Sequence, residues 1–205
     1  MLLSNKGTLI VLSGPAGSGK GTVNAKLLES GEYVYSVSAT TRQPRPGEIN
    51  GKNYHFITRE DFENRIQRGE MLEYTSYCDN YYGTPLKEAL EVLESGRHLI
   101  LEIEVEGAMN VKRLYPEAVL IMLLPPSFAV QEARLRGRGT ETEAVILQRL
   151  ERTREEVPLV NHYDYVVYNR DGGVEICADD IRSIVRAEQC SVRRHREASE
   201  EYFNS

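Results

Sequence analysis

The segment Gly14-Pro15-Ala16-Gly17-Ser18-Gly19-Lys20 constrains the fold more than any other stretch of the sequence. It fits G-x-x-x-x-G-K and stands between an apolar, β-rich run, Thr8-Leu9-Ile10-Val11-Leu12, and a helical stretch over residues 20 to 30 that Gly31 ends. A continuous apolar run marks a strand buried on both faces, which requires a parallel sheet covered by helices. In that setting the glycines let successive backbone N–H groups turn toward one anion. The helix N-terminus adds partial positive charge, and Lys20 extends toward the outer phosphates of a ligand. A turn that only joined strand to helix would need neither a run of small residues nor Lys20.

Composition sets the frame around that loop. With 205 residues, 40% of them apolar and 27% charged, the chain can bury a core without disulfides. Cys78, Cys177 and Cys190 are odd in number and lack metal-ligand or CxxC spacing, which fits free thiols in a reducing cytoplasm. The 25 Lys+Arg against 31 Asp+Glu leave a net charge of −6, so there is no global basic field for nucleic acid or an anionic membrane. Any polyanion site must be local. No apolar run approaches the roughly 20 residues that span a bilayer. Residues 1 to 12 run into the glycine loop and read as a buried strand rather than a secretory leader.

Along the chain, residues 33 to 38 alternate like a strand, and residues 39 to 57 read as loop and turn because they hold Pro44, Pro46, Gly47 and Gly51. Thr58 is placed to cap a helix that ends by Gly69, and Met71 to Tyr77 reads as a strand. Thr84 and Pro85 read as cap and first position of a helix that stops at Gly96. The runs 98 to 104, 118 to 124 and 165 to 168 complete the sheet. Residues 127 to 157 are helical around Gly137-Arg138-Gly139, and a long helix covers about 174 to 198. Alternating strands and helices of this kind predict a doubly wound α/β core.

The segment Ser36-Val37-Ser38-Ala39-Thr40-Thr41-Arg42-Gln43-Pro44-Arg45, followed by Glu48, Gly51, Tyr54 and Phe56, closely resembles the GMP-binding signature of guanylate kinases. Glu73, Tyr81-Tyr82-Gly83-Thr84, Leu101 to Gly107, Arg134-Leu135, Gly137 to Glu143 and Arg149 match the same family in order, so the resemblance covers about residues 8 to 170. It implies a three-layer α/β fold of the P-loop nucleoside monophosphate kinase type. The core would comprise residues 1–32, 86–126 and 152–205, with a GMP-binding insertion over 33–85 and a helical lid over 127–151. The implied activity is transfer of a phosphoryl group from ATP to GMP, with Mg²⁺ as cofactor and dGMP as a further acceptor, in the cytoplasm. No nucleic-acid or membrane partner is implied, and a homo-oligomer is compatible with it.

The resemblance also implies roles for residues. Gly14 to Gly19, Lys20, Gly21, Thr22 and Asn169 would bind ATP. Ser38, Arg42, Arg45, Tyr54, Glu73, Tyr82, Thr84 and Glu104 would bind GMP. Lys20, Arg42, Arg134, Arg138 and Arg149 would serve catalysis, and Glu102 and Thr22 would serve the metal, Glu102 through water. Chemistry agrees: two guanidinium forks three residues apart hold one phosphate dianion, and a carboxylate at position 73 accepts the adjacent N1 and N2 donors of guanine, whereas adenine opposes it with a lone pair. Periodicity alone leaves Glu73 equally well on the wet face of a strand, and leaves each tyrosine equally well in the core. Glu102 and Glu104, two apart on a strand, would face the same side, with metal and acceptor roles both open.

One feature departs from the general phosphate-loop motif and two from the family pattern. Gly21 follows Lys20 where the general motif has a hydroxyl, which arrives one residue late at Thr22, as in nucleoside monophosphate kinases. Glu106 stands in place of a common Gln, and Arg170 interrupts the acids that usually follow Asn169. Arg136, Arg152 and Arg154 lie among Glu132, Glu141, Glu151 and Glu155 and read as a solvated face. Arg193 to Arg196, balanced by Glu197, Glu200 and Glu201, read as an exposed helix end.

Overall fold

Two sheets organise the chain, one buried and one appended, in a computed structural model that describes residues 6–77, 79–139 and 141–195. In chain order the first half holds β1 (Leu9–Ser13), α1 (Lys20–Leu28), β2 (Tyr33–Tyr35), β3 (Ala39–Thr40), β4 (His55–Phe56), α2 (Arg59–Gln67), β5 (Met71–Tyr77) and β6 (Asn80–Pro85). The second half holds α3 (Leu86–Glu94), β7 (His98–Leu101), α4 (Val105–Leu114), β8 (Val119–Leu124), α5 (Phe128–Gly137), α6 (Glu143–Glu156), β9 (Tyr165–Tyr168) and α7 (Val174–Gln189).

The core sheet runs β2-β7-β1-β8-β9, and every pairing in it is parallel. Side chains alternate across it as the pleat demands. Ile10 and Leu12 meet Val23 and Leu27 of α1 and Cys177, Ala178, Ile181 and Val185 of α7 on one face. Leu9 and Val11 meet Ala89 of α3 and Ala108 and Val111 of α4 on the other. At about 1.5–3 kcal/mol for each large apolar side chain fully buried, these two layers supply the main drive for folding. The result is the three-layer α/β arrangement that the unbroken apolar strands imply.

The smaller sheet runs β4-β3-β6-β5, with β3 and β4 parallel and the other two pairings antiparallel. Tyr33–Tyr35, expected in the insertion, pairs with β7 in the core sheet instead, so the appended sheet begins at Ala39. Pro85 occupies the cap position of α3, and Thr84 is a strand residue, not the cap its sequence suggests. Register explains this: Thr84 lies opposite Glu73 across the β5–β6 pair and donates its hydroxyl there. The final helix ends at Gln189, with a short 3₁₀ turn over Val192–Arg194 after it. Residues 196–201, counted above with a helix end, lie outside the described residues, as do Cys78 and Thr140.

Ligands of open parallel sheets bind beyond the carboxyl ends of the strands. Here the phosphate loop follows β1, Glu102 to Glu104 follow β7, and Asn169 follows β9, so one edge of the sheet gathers all three.

Candidate active site

Gly19 opens α1 with φ 92°, a left-handed conformation that glycine adopts without steric cost. A Cβ there would also lie 2.2 Å from Asn169 Nδ2, which reaches over from the end of β9 and donates to the Ser18 carbonyl at 2.8 Å. Lys20 is folded back on the loop, its Nζ donating to the Gly14 carbonyl at 2.6 Å. Burial lowers its pKa, against the opposing pull of Glu102, Glu156 and Glu104. Thr22 lies on the open side of α1.

Around the loop lies a cavity of about 780 Å³. It is lined by Gly14, Ala16, Gly17, Gly19, Lys20, Gly21 and Thr22 of the loop and α1, by Arg138, Arg149 and Arg152, and by Arg45, Tyr54, Glu102 and Glu104. A shallower recess beside it is lined by Arg134, Arg138, Asn169, Arg170 and Asp171. There Arg134 pairs with Asp171 at 2.7 Å and donates to the Asn169 carbonyl at 2.8 Å.

A second cavity, about 240 Å³, lies under the appended sheet and is lined by Ser38, Tyr54, Glu73, Thr75, Tyr82, Gly83, Glu102, Ile103, Glu104 and Gly107. Tyr54, Glu102, Ile103 and Glu104 line both cavities, so the two are neighbours sharing a wall. Glu73 is only 3% exposed; its Oε1 accepts from the Thr84 hydroxyl at 2.9 Å. Burial pushes its carboxyl up to about 7, with the Thr84 hydroxyl and backbone N–H pulling the other way. The wet-face alternative for Glu73 is thereby removed.

Arg42 lies over the rings of Tyr54 and Phe56, 5.6 and 5.7 Å from their centroids. Glu48 fixes it: Arg42 Nη2 donates to both Glu48 oxygens, at 2.8 and 3.0 Å, and the Arg45 backbone N–H donates to the same carboxylate at 2.6 Å. Tyr54 and Tyr82 meet edge to face 6.1 Å apart.

The two acids expected as strand neighbours lie past the end of β7. Glu102 accepts from Asn24 of α1 at 2.8 Å, and Glu104, at the cap position of α4, is ion-paired to Arg152. Of the site residues named from the sequence, Gly14, Ala16, Gly17, Gly19, Lys20, Gly21, Thr22, Ser38, Arg45, Tyr54, Glu73, Tyr82, Glu102, Glu104, Arg138 and Arg149 line the two adjoining cavities; Arg134 and Asn169 line the recess beside them, and Pro15, Ser18, Arg42 and Thr84 are not among the lining residues. Sequence reasoning missed four others. In the sequence Glu48 stands only as part of a motif and Arg152 as part of a solvated face, and Asn24 and Gln131 carry no sign of a role. Gln131, 1% exposed, donates to the Ala16 carbonyl at 2.8 Å and to Thr153 at 2.7 Å, tying the phosphate loop to α5 and α6. A buried amide within a helix carries no local signature that would have found it.

Comparison with known proteins agrees with this geometry. The guanylate kinase family model matches residues 6–188. The chain is 52% identical over 190 residues to the guanylate kinase of Halalkalibacterium halodurans, covering 92% of each. It is 48% identical over 194 residues to that of Streptococcus thermophilus, covering 94% of this chain and 92% of the relative. The crystal structure of guanylate kinase from Anaplasma phagocytophilum superposes with a TM-score of 0.73 at 35% identity, covering 94% of this chain and 92% of that one. A phosphate loop, a buried carboxylate across a shared wall and a family match over nearly the whole length converge, and the chain belongs to the guanylate kinase family.

Proposed function

We propose that this site transfers the γ-phosphoryl group of ATP to GMP, releasing ADP and GDP, a step of purine nucleotide metabolism that recycles GMP. The observation that carries the reading is Glu73, a buried carboxylate in a cavity that adjoins the phosphate loop. Ionised, it accepts the N1 and N2 hydrogens of guanine together; adenine places an acceptor against it and leaves it unpaired. Ser38 and Thr84 complete the base side, and Glu104 stands at the wall. Arg42, Arg45, Tyr54 and Tyr82 hold the acceptor phosphate with charge-assisted bonds. dGMP keeps every group these residues address and is expected to react.

The phosphate loop backbone and Lys20 bind the donor phosphates, and Asn169 and Arg134 border the recess for the adenine side. A phosphate oxygen of GMP, already ionised, attacks the γ-phosphorus in line while the bond to the β-phosphate oxygen breaks, so no general base is needed. Lys20, Arg138 and Arg149 neutralise the charge that spreads over the transferring group. Closure of the lid and the acceptor insertion excludes water and suppresses ATP hydrolysis.

The residues also fit a Mg²⁺ ion shared with the substrate. Thr22 and Glu102 line the phosphate cavity, and Mg²⁺ commonly binds through one or two carboxylates, waters and substrate phosphates rather than in an all-protein cage. They would hold it through water, and when bound it supplies charge neutralisation on the phosphates.

No helix among the described residues is long and apolar enough to cross a membrane. We assign the reaction to the cytoplasm, where ATP and GMP meet. The test is ADP release from ATP and Mg²⁺ with GMP, dGMP, AMP, CMP or UMP added in turn, against a blank without acceptor. GMP and dGMP are expected to drive release and AMP to do so poorly. Release independent of acceptor, or equal with AMP, overturns the reading.

A further inference from the structure

Arg136, Arg152 and Arg154 share one texture in the sequence, yet the fold separates them. Arg136 pairs with Glu132 and Glu143, and Arg154 with Glu151, all near the helix surface. Arg152 instead lines the phosphate cavity with Lys20, Arg138 and Arg149. Its guanidinium is shared between two carboxylates: Nε donates to Glu156 one turn along α6 at 2.7 Å, and Nη2 donates across the cleft to Glu104.

Glu104 occupies the cap position of α4 with extended backbone, φ −76° and ψ 168°, but its side chain makes no capping bond. The first N–H groups of α4 and the positive end of its dipole attract a carboxylate at that position, although glutamate is not among the preferred capping residues. Here the carboxylate is spent on Arg152, and Glu104 stays in the wall that the two cavities share.

We propose that Arg152 is a positioning residue for the acceptor site, holding Glu104 in the wall between the donor and acceptor cavities and preventing it from folding back onto α4. The inference rests on the reading of the second cavity as the GMP site. Glu156 orients the guanidinium from behind, and the planar fork spans both carboxylates, which a lysine ammonium does less well. Without Arg152 the Glu104 carboxylate caps its own helix, the wall recedes and GMP is held less tightly. The donor nucleotide, bound by loop N–H groups and Lys20, is little affected.

The test is steady-state kinetics of the full chain, varying GMP and ATP separately, for Arg152→Ala, Arg152→Lys, Glu104→Ala and the Arg152→Ala/Glu104→Ala double variant. Arg152→Ala is expected to raise the GMP KM about ten-fold with the ATP KM within about two-fold, and Arg152→Lys to recover part of the loss. In the double variant the GMP KM should match Glu104→Ala alone, because Arg152 acts through that carboxylate. Effects that simply add, a change confined to the ATP KM, or an unchanged GMP KM overturns the proposal. Thermal melts check folding, and if Arg152→Ala does not fold, Arg152→Lys and Glu104→Gln are compared in the same cycle with the same expectation of non-additivity. Failure of the unmodified chain to phosphorylate GMP refutes the GMP reading itself, before any variant is compared.

Discussion

Glu73 sets stability against function at a single side chain. Its carboxyl is raised in the fold to about 7 from an ordinary 4.5, because burial disfavours the charged form. Below pH 4.5 the group is neutral in both the folded and the unfolded chain, and it costs nothing. Between pH 4.5 and 7 the unfolded chain ionises first, so stability is lost as pH rises, by about 3 kcal/mol in all once pH exceeds 7. Glu73→Gln removes that cost, since the amide oxygen still accepts the Thr84 hydroxyl bond of 2.9 Å. The variant is therefore expected to be more stable than the parent at pH 8 by up to about 3 kcal/mol, a Tm increase of about 6–12 °C for a chain of this size. Near pH 4 the difference should vanish.

Activity should move the other way. An amide presents only one acceptor to guanine's two donors and turns its own N–H groups on the rest, so kcat/KM for GMP should fall at least about 100-fold. In the unmodified chain the GMP KM should rise about ten-fold between pH 8 and pH 6 as Glu73 protonates. Part of that slope belongs to GMP, whose phosphate has a second pKa near 6; Glu73→Gln retains that part alone. Melting curves from pH 4 to 8 and coupled ADP release at pH 6 to 8 measure both sides. A Glu73→Gln chain less stable than the parent at pH 8, or two parallel pH profiles, refutes the reasoning.

Lys20→Ala should lower kcat at least about 100-fold, as removal of one preorganised charge on a transferring group does, and ADP release reads it directly. Gly19→Ala forces a left-handed alanine whose Cβ would lie 2.2 Å from Asn169 Nδ2. Stability should drop by about 1–2 kcal/mol from backbone strain alone, seen as a lower urea midpoint, and the ATP KM should rise; an unchanged midpoint contradicts this. Glu48→Ala releases Arg42 and the Arg45 N–H, so the GMP KM should rise about ten-fold while competition by guanosine, which lacks the phosphate, stays unchanged. Equal weakening of GMP and guanosine would mean that Glu48 only supports the loop.

What the sequence disclosed was local. The phosphate loop is legible because its glycine conformations, its buried strand and its helix start lie within a few residues, and the unbroken apolar runs specify a sheet covered on both faces. What it hid depends on partners far along the chain. Thr84-Pro85 before a helical run is a sound local sign of a cap, but the hydroxyl finds Glu73 eleven residues away across a hairpin. That hairpin is itself obscured because Thr84 and Pro85, the last residues of β6, read as the start of a helix. Asn24, 3% exposed, meets Glu102 from 78 positions away, and no periodicity anticipates it. Arg152 differs from Arg136 only in which face of the fold its helix turns to the cleft, which neighbouring charges in the sequence cannot specify.

A chain of net charge −6 that is to hold two phosphate-bearing substrates needs its cations placed rather than numerous. The structure gives four of the arginines around the site protein carboxylates as partners: Arg42 has Glu48, Arg134 has Asp171, Arg149 has Glu141 and Arg152 has Glu104. Clustered guanidinium groups without such partners would repel one another and lose their orientation. An anion that binds one of these four arginines must therefore exchange with a carboxylate already in place, and its gain there is the difference between two ion pairs. A carboxylate of single charge gains nothing by the exchange. A phosphate of charge about −1.5 to −2 with three acceptor oxygens does, and the transferring group, with its charge spread at the moment of transfer, gains most. On the proposed assignment of these arginines, pairing them in advance would select phosphates over other anions and reserve the strongest interaction for the transition state, where it raises kcat rather than merely tightening the substrate complex.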